Sequence, residues 1–209
     1  MKKLDNRETA TREIEQVCPD PVALKALTHP ERLKMLAILR VDGPATATQL
    51  AAQLGLNSGA TSYHLRQLAR FGFIEELPTS SRRDRWWKAR HELTSVPDDA
   101  AAPEKLEASL AFTQMAHALQ VDQLRQAVAE YPHLPDAWRR ASTVSDFILV
   151  LSPERAERLK DAIMGLILEE MRTAPPLGQP LPAGMAPVTV MLHAFPYPGR
   201  VMKTPDKGE

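Results

Sequence analysis

Ser62 and His64 stand two residues apart in the stretch SGATSYHLRQLARFGFIEE (58–76), and Tyr63, Arg66, Gln67 and Arg70 crowd around them. Two chemistries could use such a set: nucleophilic catalysis by Ser62 with His64 as its base, or hydrogen bonding to nucleic acid. The stretch reads as a helix that begins near Asn57 and Ser58 and stops at Gly72. On a helix, residues i and i+2 point roughly 200° apart, so Ser62 and His64 cannot share a proton. No G-x-S-x-G motif surrounds the serine. Catalytic residues are therefore not expected, and the chain does not read as an enzyme.

As a reading head for DNA the same residues fit. The hydroxyls of Ser58 and Ser62 allow close approach at a helix N-terminus. Tyr63 can reach a base edge or a phosphate. Arg66 carries the planar fork that pairs with guanine, and Gln67 has the amide that pairs with adenine, although it lies less outward beside Leu68. Arg70 continues the outer face. His64 falls between the outer face and the apolar one, where it either braces the turn or meets a phosphate.

Such a helix needs other elements to hold it. VALKALT (22–28) reads as a short helix. His29-Pro30 restarts the chain, with Pro30 suited to a first helical position, and ERLKMLAILR follows with apolar residues at helical spacing. Asp42-Gly43-Pro44 ends that helix. Thr46 with Gln49 three residues later is a capping-box pattern, and Leu50, Ala51 and Leu54 form the stripe of the helix it opens. Gly55 to Asn57 is a tight turn. In the next helix Thr61, Leu65 and Leu68 lie at i, i+4 and i+7 and face a core, so the polar residues turn outward. Two short helices joined by a tight turn make a helix-turn-helix. FIEELPT, then SSRRD, then RWWKA reads as a hairpin (78–88 at its centre), a wing that could bring Arg82, Arg83 and Arg85 to phosphates or into a minor groove. Trp86 and Trp87 alternate across its returning strand, one packing inward and one facing out.

The charge distribution agrees. The 209-residue chain has 26 Lys/Arg and 26 Asp/Glu, yet residues 22–92 hold eleven of the first and six of the second. A basic segment beside an acidic one suits a nucleic-acid module joined to something else. The single cysteine, Cys18, excludes an intramolecular disulfide and suits a reducing cytoplasm. The first residues do not read as a signal peptide, and no apolar run approaches the roughly 18–20 residues of a membrane span. Six histidines and one cysteine form no metal-ligand set by spacing, so neither metal nor cofactor is expected.

Residues 22–90 resemble the winged helix-turn-helix of ArsR-type bacterial transcription regulators. The resemblance rests on ALTHPERLKMLAIL, the QLAAQLGL helix, GATSYHLRQLARFGFIEE and the arginine-rich wing ending in RWWKA. The most specific part is Ser62-x-His64-Leu65 followed by Leu68 and Gly72. It covers about a third of the chain and implies a twofold dimer that reads inverted repeats. Two departures matter. Some family members bind metal through a cysteine pair in the helix before the recognition helix, and here that helix is TQLAAQLG, without cysteine. Others use paired ligands on the C-terminal dimer helix, where this chain offers only His117 followed by Gln120. The family's metal chemistry is thus not implied.

The second half opens with LTSVPDDAAAP (93–103), read as a linker. From Glu104 to Glu130 there is no Gly or Pro, and Leu106, Leu110, Met115, Leu119, Leu124 and Val128 recur every few residues. A helix of about 40 Å cannot cover such a stripe alone, so self-association is expected. FILVL (147–151) and VTVMLHAF (188–195) read as two strands that pair with each other, and the helix from Pro153 to Arg172 between them covers one face. Phe112, Met115, Trp138, Phe147, Met164 and Met191 could line an effector pocket or simply form core.

The expected fold class is mainly α with some β (α+β): an N-terminal winged helix-turn-helix, a long dimerisation helix and a small strand–helix–strand region. The expected domains are an arm (1–21), the DNA-binding domain (22–92), the linker (93–103), a dimerisation or effector region (104–198) and a disordered tail (199–209). The expected function is a cytoplasmic, dimeric, sequence-specific DNA-binding repressor, with double-stranded DNA, a second copy and an unidentified small-molecule effector as partners, and no membrane. The alternative is a winged-helix interaction module without DNA binding.

Overall fold

The computed structural model of the chain describes residues 11–78, 84–96 and 103–201. Each helix of the first half starts where a side chain can satisfy its open N–H groups. The Asp20 carboxylate accepts from the Ala23 N–H at 2.7 Å and opens α1 (Pro21–Ala26). His29 Nδ1 accepts from the Glu31 N–H at 3.2 Å and opens α2 (Pro30–Val41). Thr46 and Gln49 form the expected capping box, with bonds of 2.8 and 3.2 Å, at the start of α3 (Ala47–Leu54). Gly55, at φ +67°, closes α3 in the left-handed region where only glycine is unstrained. Asn57 then opens α4 (Ser58–Arg70), its side chain accepting from the Ala60 N–H at 2.7 Å.

Behind α4 the chain forms the wing. Strands β3 (Ile74–Leu77) and β4 (Trp86–Ala89) are antiparallel, with Ile74 opposite Ala89 and Leu77 opposite Trp86. A short strand β2 (Ala45–Thr46) joins the other edge of β4, so the sheet order is β2-β4-β3. Leu36, Leu50, Leu65 and Leu68 are fully buried beneath it, and Trp87 closes the cluster at 6% exposure. Burying one such aliphatic side chain contributes about 1.5–3 kcal/mol.

Residues on both sides of the winged helix are drawn into it. Gln16–Val17 (β1) pairs in parallel with Leu93–Thr94 (β5), so part of the arm and the first residues of the expected linker are a two-stranded sheet. Arg40 on α2 fixes this neighbourhood by donating from Nε to the His91 carbonyl at 2.9 Å and from a terminal nitrogen to Thr94 Oγ1 at 2.8 Å. Burial lowers the Arg40 pKa to about 10, still well above neutrality. The wing tip, with Arg82 and Arg83, lies outside the described residues, as do the rest of the linker (97–102) and the tail from 202 onward.

The long helix is present as α5 (Pro103–Glu130). Its first half packs over α1 and α2, with Ala108 buried and Phe112 against the winged-helix core. Its last ten residues are exposed. A turn at Tyr131–His133 and a short helix α6 (Asp136–Ala141) follow, neither foreseen from sequence. Helix α7 (Pro153–Thr173) starts on the expected Ser152 cap.

The strand–helix–strand expectation is corrected here. Residues 147–151 and 188–195 form no strand, because a strand is defined by a hydrogen-bonded neighbour and these two do not pair. Instead the chain after α7 returns to the winged helix. The Gly178 N–H donates to the Val41 carbonyl at 3.1 Å, and the Arg12 N–H to the Arg172 carbonyl at 3.1 Å. Among the described residues no helix is long and apolar enough to cross a membrane.

The Gly43–Gly178 contact is a close backbone approach. A Cβ on Gly43 would sit 2.5 Å from the Gly178 carbonyl oxygen, and Gly43 is at φ +90°. Gly184, at φ +80°, has open space instead. Gly43→Ala should lower stability in urea by about 2–4 kcal/mol, against about 1–2 kcal/mol for Gly184→Ala, which carries backbone strain alone. Equal losses would show that the 178 loop does not dock.

Candidate nucleic-acid interface

The interface begins with what α4 hides. Thr61, Leu65 and Leu68 have no exposed surface, and Thr61 Oγ1 donates back to the Asn57 carbonyl at 3.0 Å. With that side fixed, Ser58, Gly59, Tyr63, Arg66 and Arg70 are exposed along the opposite side. The spacing 59, 63, 66, 70 is one stripe of a helix, roughly 20 Å long over 13 residues. Tyr63 is 51% exposed. The Arg70 guanidinium lies 5.7 Å from the centre of the Phe71 ring, which limits where it can swing. Ser62 and Gln67 are half-buried at the edges of the stripe.

His64 is turned inward. Its ring lies 4.4 Å, centre to centre, from that of His29, and the Tyr63 ring meets it edge-on at 5.5 Å. His29 caps α2, so the two imidazoles brace α4 against the start of α2. The Nδ1 of His64 is buried and has no hydrogen-bond partner. Burial lowers the His64 pKa, and the nearby His29 and Arg32 push it further the same way. His29 is lowered for like reasons, burial first and Arg32 second. Arg32 Nε donates to the Ala26 carbonyl, which ties the end of α1 to the same cluster. The sequence singled out His64 but not His29 or Arg32. The signal was available in His29-Pro30, since a side-chain acceptor just before a proline at a helix start is a cap.

The wing carries a charge arrangement that residue type alone did not reveal. Lys88 Nζ lies 2.9 Å from Glu75, Arg90 3.7 Å from Glu75, and Arg85 3.7 Å from Glu76. The hydrogen bond and charge of Lys88 hold the Glu75 carboxyl below its ordinary range. The hairpin register could have shown these pairs, because Glu75 stands opposite Lys88. Arg85 remains 68% exposed despite its partner, so it can exchange Glu76 for a phosphate. Trp87 packs inward and Trp86 is half-buried.

Three of the six residues suggested for an effector pocket can be placed by their surroundings. Phe112 packs on the winged-helix core, while Phe147 is 83% exposed and Met164 39% exposed. Two hollows occur elsewhere. One of about 520 Å³ lies between Thr11 and α7, lined by Ala162, Gly165, Leu166 and Glu169. One of about 260 Å³ lies between Cys18, Asp20, Leu24, Lys105 and Ser109. Among the described residues no group of three or more His, Cys, Asp or Glu is placed to hold a metal ion.

Residues 27–76 match the family model of a helix-turn-helix domain. No curated protein matches the chain. Among solved structures, the chain is similar to reduced HlyU from Vibrio cholerae at 25% identity, covering 43% of this chain and 80% of that one with a TM-score of 0.30. It is similar to a possible transcriptional regulator for arsenical resistance at 22% identity, covering 52% and 94% with a TM-score of 0.30. A transcriptional regulator homologue from Pyrococcus horikoshii is similar at 24% identity, covering 48% and 88% with a TM-score of 0.29.

The histidine brace predicts a pH dependence. His29, His64 and His91 all have lowered pKa values, so the folded chain holds them neutral while the unfolded chain takes up protons more readily. Stability present above the ordinary imidazole value of about 6.5 is then lost as pH falls through it toward the lowered folded values. The urea midpoint should drop between pH 7.5 and 6, and His64→Gln should make that drop smaller. An undiminished drop in the variant would assign the effect to other groups.

Proposed function

We propose that this chain, with its helix-turn-helix domain at 27–76, is a sequence-specific DNA-binding transcription regulator that acts as a dimer and represses by occupying its operator. The observation that carries this reading is the exposed stripe of Ser58, Gly59, Tyr63, Arg66 and Arg70 on a helix whose other side is locked in the core. Such a helix, laid in a major groove, puts its N-terminal residues at base edges. Arg66 is exposed, and it is the residue assigned to guanine. Ser58, Ser62 and Tyr63 would take nearby edges or phosphates, Gln67 an edge position, Arg70 a phosphate. His64 would act through the brace that sets the helix angle. Arg82, Arg83 and Arg85 would clamp the backbone from the wing.

Residues 22–92 serve as the reading unit in this proposal, and 104–198 as the region that joins two copies and receives an effector if there is one. Two copies would place their α4 helices in successive major grooves about 34 Å apart. A bound dimer would then exclude polymerase from the promoter, in the cytoplasm. A second reading, a winged-helix interaction module without DNA binding, draws support from Glu75 and Glu76, which neutralise part of the wing.

Selection from a random duplex pool separates the two. The regulator should enrich an inverted repeat with half-site centres about 10–11 base pairs apart, whereas no enrichment and no salt-sensitive binding would favour the interaction module. Arg66→Ala should cost about 1–3 kcal/mol and relax preference at one base position. A uniform loss across sequences would make Arg66 a phosphate contact. Replacing Arg82, Arg83 and Arg85 together by alanine should flatten the dependence of log affinity on log salt, with up to about one unit of slope per contact removed. An unchanged slope would take the wing off the DNA.

A further inference from the structure

Among described residues 103–201 only Ala108 is buried, although this region is rich in large apolar side chains. Val144, Phe147, Ile148, Leu149 and Val150 are 58–99% exposed, and Val188, Val190 and Phe195 are 64–72% exposed. Helix α7 adds Leu159 and Leu166, at 41% and 65%. A monomer in water rarely leaves so many large apolar side chains exposed. The backbone tells the same story. Among the described residues no backbone hydrogen bond involves 143–151 or 186–196, so two strand-like stretches carry open N–H and C=O groups. VTVMLHAF opens with three β-branched residues, which favour a strand, and FILVL is apolar on both faces, the pattern of a strand covered on both sides.

We infer that a second copy of this chain covers these stretches by strand exchange, with 147–151 of one copy pairing with 188–195 of the other. This rests on the dimeric reading above and specifies its surface. Three observations favour a second copy over another partner. Neither stretch contains Asp, Glu, Lys or Arg, so like copies meet without repulsion and nothing selects an oppositely charged protein. Each copy carries two unpaired stretches, so a twofold pair gives both of them a neighbour at once. The area also suffices. Eight side chains at roughly 60–120 Å² each, the range implied by 1.5–3 kcal/mol per side chain at about 25 cal/mol/Å², come to about 500–1,000 Å² per copy, where a stable interface needs about 800 Å². The loop after α7 is docked on the winged helix at Gly43 and Gly178, so the exchanged sheet would set the separation of the two reading helices.

The test uses the full chain with Cys18→Ser, which removes the one native thiol. Chains carrying Leu149→Cys are co-expressed with distinguishably tagged chains carrying Val190→Cys, treated with a short bis-maleimide, and separated by mass. A product holding one chain of each kind is expected, together with a light-scattering mass of two chains. Val150→Asp supplies a second readout. Val150 is 99% exposed in the single chain, so the helical circular dichroism should not change, while dimer dissociation should rise at least tenfold. A dimer that yields no mixed product and tolerates Val150→Asp overturns the exchange and leaves the dimeric reading standing. Cross-linking within one chain in a Leu149→Cys, Val190→Cys double variant also overturns it. A monomer at micromolar concentration overturns both.

Discussion

A helix can present a polar face to a large partner only if its opposite face is held rigidly, and in this chain Leu65 and Leu68 meet that requirement. Both are fully buried against Leu36, Leu50 and Trp87, which come from α2, α3 and the wing. Every other element of the first half is arranged around this contact. The capping box of α3, the left-handed Gly55 and the Asn57 cap set the angle at which α4 arrives. The His29–His64 stack fixes its side toward α2. Loss of Leu68 would therefore disturb the direction of the exposed stripe as well as the stability of the fold.

Charge is used sparingly around this helix. The wing cations Arg85, Lys88 and Arg90 each face Glu75 or Glu76 across short distances. Exposed pairs of this kind are screened by water and contribute little, so they are readily exchanged for another anion. Arg40 behaves differently. It is half-buried, makes two hydrogen bonds to the segment that follows β4, and serves as a structural tie despite its charge.

The second half has the opposite character. Its helices form from local signals such as Ser152 with Pro153, yet they enclose almost nothing, and its apolar stretches face water. Helices obtain their hydrogen bonds within themselves, whereas strands need a neighbour. This explains why α5 and α7 are complete in one chain and the 147–151 and 188–195 stretches are not. The chain after α7 nevertheless touches the winged helix, through the Gly178 N–H on the Val41 carbonyl.

The sequence by itself determined the winged helix-turn-helix, because its information is local. Thr46 with Gln49, Asn57, and the i, i+4, i+7 spacing of Thr61, Leu65 and Leu68 each specify one helix boundary or one buried face, and the structure places all of them as their types require. The outward set Ser58, Tyr63, Arg66 and Arg70 was legible for the same reason. Tertiary structure alone decided what depends on residues distant in the chain. That His64 stacks on His29, that Leu93–Thr94 leave the expected linker to pair with Gln16–Val17, and that Gly178 docks beside Gly43 are contacts for which no local pattern exists. The apolar run FILVL shows the limit most clearly. Periodicity fixed its preference for extended backbone, but pairing is a property of two segments, and where the second one lies is settled only by packing.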